Sequence, residues 1–207
     1  MSNPAAAETL LEWGIAALTL PSETESGDSH VVAPFRDGAL VAVVDGLGHG
    51  SEAAIAARAA IAVLQRHAGE AAMPLVRRCH EELRRTRGAV LSIASFNGLN
   101  NTMTWLGVGN VEGMLFRASA TALPQREAIL LRGGVVGYQL PPLRETVLPV
   151  ARGDTMIFVT DGIRDGFAEK SPIGRHTGNV ADDILARFAR HTDDALVLVA
   201  RYLGRPP

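Results

Sequence analysis

The sequence predicts an α+β fold in which a few helices pack on antiparallel sheets, and three observations predict it. Short apolar runs rich in β-branched residues recur along the chain and dominate it after Gly88. Amphipathic helical periodicity occurs in only three places. Strands and helices do not alternate strictly, as they must in a doubly wound α/β domain, so a Rossmann-type sheet is disfavoured.

Strands are expected at 13–20 and 29–35, on either side of the polar turn Ser22-Glu23-Thr24-Glu25-Ser26-Gly27-Asp28. A near-continuous apolar run at 39–44 reads as a buried strand, and 45–50 as the turn leaving it. Ser51 is placed to cap a helix reaching about His67, with Ile55, Ala59, Ala62 and Val63 on one face. Pro74 suits the first turn of a second helix, in which Leu75, Cys79 and Leu83 repeat every four residues before Arg84-Arg85. Strands follow at 89–96, 102–108, 113–117, 128–132, 146–149, 155–160 and 195–202. One helix interrupts them. Asn179 is its expected cap, Asp182 and Asp183 fall in a first turn where the helix dipole favours acids, and Val180, Ile184, Leu185 and Phe188 share a face. That assigns the Asp182-Asp183 pair to capping.

At 207 residues the chain is expected to fold as a single domain over 1–207, with no separate sensor or regulatory part. A net charge of −2, with 47% apolar and 20% charged residues, describes an ordinary globular protein. No basic stripe points to nucleic acid. The single cysteine, Cys79, excludes an intramolecular disulfide and reads as a core residue. Residues 1–11 lack a basic segment followed by an apolar one, and no apolar run approaches the roughly 20 residues of a membrane helix. A cytoplasmic monomer without membrane contact is expected.

Three aspartates stand where apolar strands run out, in Val43-Val44-Asp45-Gly46, Phe158-Val159-Thr160-Asp161-Gly162 and Thr192-Asp193-Asp194-Ala195-Leu196. Acids at the rims of buried strands point to a shared hard-cation site, since clustered carboxylate oxygens select magnesium, manganese or calcium. Any single Asp-Gly among them, taken alone, reads as a turn. Gly46-Leu47-Gly48-His49-Gly50 lies between a strand and a helix but is not a dinucleotide loop. Position 51 is Ser rather than the third glycine, and no acid-terminated second strand follows. No Gly-Lys-Ser/Thr occurs either, which excludes a Walker-type loop.

Taken in order, Ser26-Gly27-Asp28, the Asp45 to Gly50 turn, Gly153-Asp154-Thr155-Met156-Ile157-Phe158-Val159-Thr160-Asp161-Gly162 and Asp193-Asp194-Ala195 resemble the metal-site motifs of PP2C-type serine/threonine phosphatases. Their spacing is similar to that of the bacterial SpoIIE-like branch. Trp105-Leu106-Gly107-Val108-Gly109-Asn110-Val111-Glu112 and Arg132-Gly133-Gly134-Val135-Val136-Gly137-Tyr138-Gln139-Leu140-Pro141-Pro142 narrow the resemblance to stressosome feedback phosphatases. The resemblance implies an αββα sandwich, two antiparallel sheets flanked by helices, with two divalent ions, Mn2+ or Mg2+, at one edge. It implies that Asp45 bridges both ions, the Gly46 carbonyl binds one, and Asp161 and Asp193 complete the other's shell. Asp28 would act through a water on the Gly46 side. Asp194 is the alternative to Asp193, because adjacent strand side chains face opposite ways; otherwise it caps or salt-bridges.

Such a centre hydrolyses phosphoserine and phosphothreonine without a covalent enzyme intermediate. The implied partners are phosphorylated STAS-domain proteins of a stressosome, with hydrolysis resetting a stress response. Two further readings are a two-metal phosphomonoesterase of small metabolites and a pseudo-phosphatase adaptor. The sequence departs from the larger eukaryotic enzymes at two points. Leu47, not histidine, follows Asp45-Gly46, with His49 two positions later, and no counterpart of their phosphate-binding arginine stands out.

The segment 166–178, with Lys170, Arg175 and His176, follows the Thr160-Asp161-Gly162 motif and is either an overhanging substrate contact or an ordinary surface loop. The glycine- and proline-rich segment from Arg132 to Pro142 is similarly placed. A docking role for it predicts that Arg132→Ala leaves phosphopeptide turnover intact and abolishes turnover of a folded phosphoprotein. Equal loss on both substrates in parallel assays would exclude docking.

Overall fold

The computed structural model describes residues 10–128 and 130–205. Residues 1–9 of the stretch examined for a leader, and Ile129 within the expected strand 128–132, lie outside the described residues. The strands are β1 (Leu11–Leu18), β2 (Asp28–Phe35), β3 (Gly38–Gly46), β4 (Ala89–Asn97), β5 (Thr102–Val108), β6 (Glu112–Phe116), β7 (Arg126–Ala128), β8 (Thr146–Pro149), β9 (Thr155–Val159) and β10 (Ala195–Tyr202). The helices are α1 (Ser51–Arg66), α2 (Ala72–Leu83) and α3 (Thr177–Phe188).

The strands form two five-stranded antiparallel sheets, ordered β1-β10-β9-β6-β7 and β2-β3-β4-β5-β8. The sheets pack face to face, α1 and α2 cover the second sheet, and α3 covers the first. This is the four-layer αββα sandwich. Its central strands are covered on both faces, which is why they read as unbroken apolar runs. In β3, Leu40, Ala42 and Val44 face the helices, while Ala39, Val41 and Val43 face the opposite sheet. In β10, Ala195, Val197 and Val199 face α3, while Leu196, Leu198 and Ala200 face inward. The buried Ser92 hydroxyl is satisfied by the Val111 carbonyl at 2.7 Å.

Several expected local features differ. Helix α1 buries Ala53, Ala56, Ala57, Ala60 and Leu64. The expected face is split: Ile55 is 51% exposed and Ala62 is exposed, while Ala59 and Val63 are half-buried against the edge of the core. Close approach decides this: a Cβ on Gly46 would stand 2.1 Å from the Ala53 carbonyl oxygen, so only a face of small residues fits against β3. Ser51 is the first helical residue, and Gly50, at φ 73°, occupies the cap position.

Helix α3 starts before Asn179. His176 is its N-cap and accepts from the Gly178 N–H at 3.2 Å, while the buried Thr177 is tied through its N–H and hydroxyl to Glu12. Asp182 and Asp183 therefore fall in the second turn, where Asp183 pairs with Arg175 at 3.2 Å and Arg187 at 3.9 Å. The strand expected at 128–132 is replaced by the short β7, and Leu130 is exposed.

Among the described residues no helix is long and apolar enough to cross a membrane.

A Cβ at Gly14 of β1 would meet the Gly178 nitrogen at 2.3 Å, a contact between two backbones that no rotamer can relieve. Gly14→Ala is expected to lower stability by roughly 1–3 kcal/mol, as overpacking does. The shift in urea midpoint at unchanged slope measures it.

Candidate active site

Strand register brings the first two carboxylates together. Asp28 of β2 stands directly opposite Asp45 of β3, a pairing that like charges disfavour. Asp45 is the position of β3 that is not fully buried. The Asp45 chain continues into Gly46, whose N–H donates to the Gly27 carbonyl at 3.0 Å.

The remaining carboxylates come from the other sheet. Asp161 follows β9 and Asp193 precedes its partner β10. Thr160 couples the sheets. Its hydroxyl accepts from the Leu196 N–H at 2.8 Å and donates to Asp28 Oδ2 at 2.7 Å. Asn110, just before β6, donates through Nδ2 to Asp161 Oδ2 at 2.8 Å. Asp193 Oδ1 accepts from the Asp194 N–H at 2.9 Å.

Asp194 is buried, and both its oxygens are taken by main chain: Oδ1 accepts from Leu20 N–H at 2.8 Å and Oδ2 from Gly27 N–H at 2.6 Å. It thereby pins the 20–28 loop that delivers Asp28. This is the capping role held open for it, and it leaves Asp193 with its Oδ2 unengaged by any hydrogen bond among the described residues.

The electrostatics show these groups sharing one space. Burial pushes the Asp45 carboxyl up to about 8, and the Asp28, Asp161, Asp193 and Asp194 charges push the same way. Burial raises Asp28 to about 7, the Thr160 hydrogen bond opposes this, and Asp194, Asp161 and Asp193 add to it. Asp161 is raised by burial and Asp193, against the pull of Asn110 and Arg190. Among the described residues no Lys, Arg or His nitrogen lies within ion-pairing distance of any of these five carboxylates.

The donor set fits a hard divalent cation. It is all oxygen, clustered, and without an ion pair among the described residues, where an isolated buried carboxylate would be costly. Among the described residues no group of three or more His, Cys, Asp or Glu side chains is already arranged to hold a metal ion.

Other residues singled out in the sequence fall outside the centre. His49 Nδ1 is hydrogen-bonded to Glu23 Oε1 at 2.5 Å and is largely exposed. Cys79 is buried in the α1/α2 layer, and burial pushes its thiol up to about 12. The segment 166–178 leaves the site after its first residues. Arg126 holds the Ala168 carbonyl, and Arg201, at the far end of β10, holds those of Pro172 and Arg175. The stretch from Arg132 does lie beside the centre: Gly109 N–H donates to the Arg132 carbonyl at 2.9 Å, and Val136 pairs with Ala89, the partner of Gly46.

The family model for SpoIIE, Stage II sporulation protein E, matches residues 36–203. The chain belongs to the SpoIIE family. The match takes in Asp45, Gly46, Asp161 and Asp193 of this SpoIIE-family chain and leaves Asp28 before it. The phosphoserine phosphatase RsbX of Bacillus subtilis (strain 168) is 32% identical over 93 residues, covering 45% of this chain and 47% of that protein. The matched segment thus spans about half the length of this curated relative. A solved chain from "The bacterial stressosome: a modular system that has been adapted to control secondary messenger signaling" is 29% identical. Its TM-score is 0.83, covering 92% of this chain and 99% of that one. RsbX in complex with magnesium shares the fold at a TM-score of 0.81 and 20% identity, with 98% of each chain covered. The SpoIIE-family chain therefore has the PP2C-type phosphatase fold.

Asp28 and Asp45, at about 7 and about 8 in the folded protein, hold protons that the unfolded chain releases near pH ~4. Their contribution to stability is full below that pH and is lost as pH rises through 7 to 8. The metal-free protein is expected to lose melting temperature across this window. Added Mn2+ or Mg2+ needs ionised ligands, so its stabilisation should grow with pH. Thermal melts with chelator or metal between about pH 5 and 8.5 measure both trends; a metal effect independent of pH would contradict this account.

Proposed function

We propose that this SpoIIE-family chain is a metal-dependent protein serine/threonine phosphatase. The observation that carries the reading is the gathering of Asp28, Asp45, Asp161 and Asp193 from two sheets with no ion pair to any of them among the described residues. Asp45, the Gly46 carbonyl, Asp161 and Asp193 would hold the Mn2+ or Mg2+ ions, and Asp28 would act on them through water. When bound, the two ions activate a water and neutralise phosphoryl charge, so hydrolysis needs no nucleophilic side chain.

The chain's own residues supply the positioning. Thr160 fixes Asp28 against the opposite sheet, and Asn110 fixes Asp161. Asp194 fastens the loop before Asp28 by two backbone hydrogen bonds. Gly46 is required because a side chain there would collide with the Ala53 main chain of α1.

The substrates we propose are phosphorylated STAS-domain proteins of a stressosome in the cytoplasm, dephosphorylated to reset a stress response. The similarity to RsbX and to a stressosome chain supports this, together with the Arg132 segment beside the centre.

Phosphate release from phosphoserine and phosphothreonine proteins is expected to need Mn2+ or Mg2+ and to stop on chelation. Asp161→Asn should reduce it by a factor of about 100 or more, the scale of losing a principal electrostatic element of a site. Folded protein that binds a phosphorylated partner without turnover would be an adaptor instead. Turnover confined to small phosphomonoesters would point to a metabolite phosphatase.

A further inference from the structure

The sequence offers no obvious counterpart of a phosphate-binding arginine, but the fold brings one cation to the rim of the carboxylate centre. Arg190 follows α3, and the segment carrying it is zipped to the residues after Asp161. Arg164 N–H donates to the Phe188 carbonyl at 2.8 Å, Ile163 bridges Ala189, and Arg190 N–H donates to the Gly162 carbonyl at 2.8 Å. The Arg190 side chain then turns back, and its Nε donates to the main-chain carbonyl of Asp161 at 2.9 Å.

That single bond fixes the guanidinium at the metal edge and leaves both Nη groups without a protein partner among the described residues. The charges facing it are the Asp161 carboxylate, which it pulls down, and Glu112 at the start of β6, which it also lowers; neither is within ion-pairing distance. The neighbouring arginines are engaged elsewhere. Arg87, over Gly48, is paired with Glu52, and Arg164 donates to the Arg187 carbonyl at 2.6 Å.

We propose that Arg190 binds the phosphoryl group of the substrate. An exposed guanidinium, oriented through Nε with the edge between its two Nη groups free, matches two oxygens of a phosphomonoester dianion in a planar, two-point geometry. Once the carboxylates hold divalent ions, their charge no longer competes for Arg190, and the incoming dianion becomes its counter-charge. This rests on the phosphatase reading of the site.

The test compares Arg190→Gln, Arg190→Ala and Arg190→Lys in the Mg2+-loaded chain. Inorganic phosphate is titrated by calorimetry, alongside phosphoserine-peptide kinetics. Gln keeps an N–H for the Asp161 carbonyl and removes the charge. It is expected to weaken phosphate binding and raise KM by about tenfold or more, the scale of a lost charge-assisted contact. Mg2+ affinity and melting temperature should remain those of the wild type, and Lys should recover part of the loss. Phosphate affinity unchanged in Arg190→Gln would overturn the proposal and reduce Arg190 to a strut for the Asp161 turn. A parallel fall in Mg2+ affinity would also overturn it, because the residue would then act through Asp161. Wild-type protein that binds no phosphate would do the same. If wild-type protein binds phosphate but hydrolyses no peptide, the phosphatase reading fails, and the phosphate titrations alone still decide the role of Arg190.

Discussion

Mutual repulsion among Asp28, Asp45, Asp161, Asp193 and Asp194 is the constraint around which this structure is arranged. Asp28 faces Asp45 across a ladder, and the Asp45 carboxyl is pushed up by burial and by each of the others. Nothing in local chain preference brings such groups together, so the surrounding fold must hold them, and bound protons or a bound cation must balance them. The remaining features of the site follow from those two requirements.

The holding is done by hydrogen bonds spanning long stretches of chain. Asp194 lies more than 160 residues from Leu20 and Gly27, and its oxygens accept from both main-chain nitrogens. Thr160 ties one sheet to a carboxylate of the other. A charge-assisted bond of this kind is worth roughly 1.5–3 kcal/mol, which offsets part of the cost of gathering the acids. Small residues make the approach possible. Gly46 and the alanine face of α1 let helix and strand meet at backbone distance, which sets the position of the loop leaving Asp45.

The same economy of space explains the helix faces. An amphipathic pattern identifies a helix, but which stripe is buried depends on the partner surface. Ile55 carries more apolar area than Ala53, yet β3 is too close to accept it, and it faces solvent. At α3 a tertiary anchor from Glu12 to Thr177 sets the start two residues before the expected Asn179 cap. The 166–178 segment is drawn down the outer face of its sheet by Arg126 and Arg201, away from the centre.

The sequence by itself determined the strand pattern, the layered α+β class and the aspartates at strand ends. Those signals are local: side chains alternate every second residue, and an acid at the rim of an apolar run is visible in a few positions. The four-layer arrangement and the candidate ligands Asp45, Gly46, Asp161 and Asp193 were legible as a resemblance among ordered motifs. Only the tertiary structure decided that Asp194 ties down a loop, that Asn110 and Thr160 steady their carboxylates, and that Arg190 reaches the rim. Each of these depends on a partner dozens of residues away, whose position is fixed by sheet pairing and core packing. A hydrogen bond between distant residues leaves no periodicity in the chain, so its energy becomes visible only after folding has brought the two groups together.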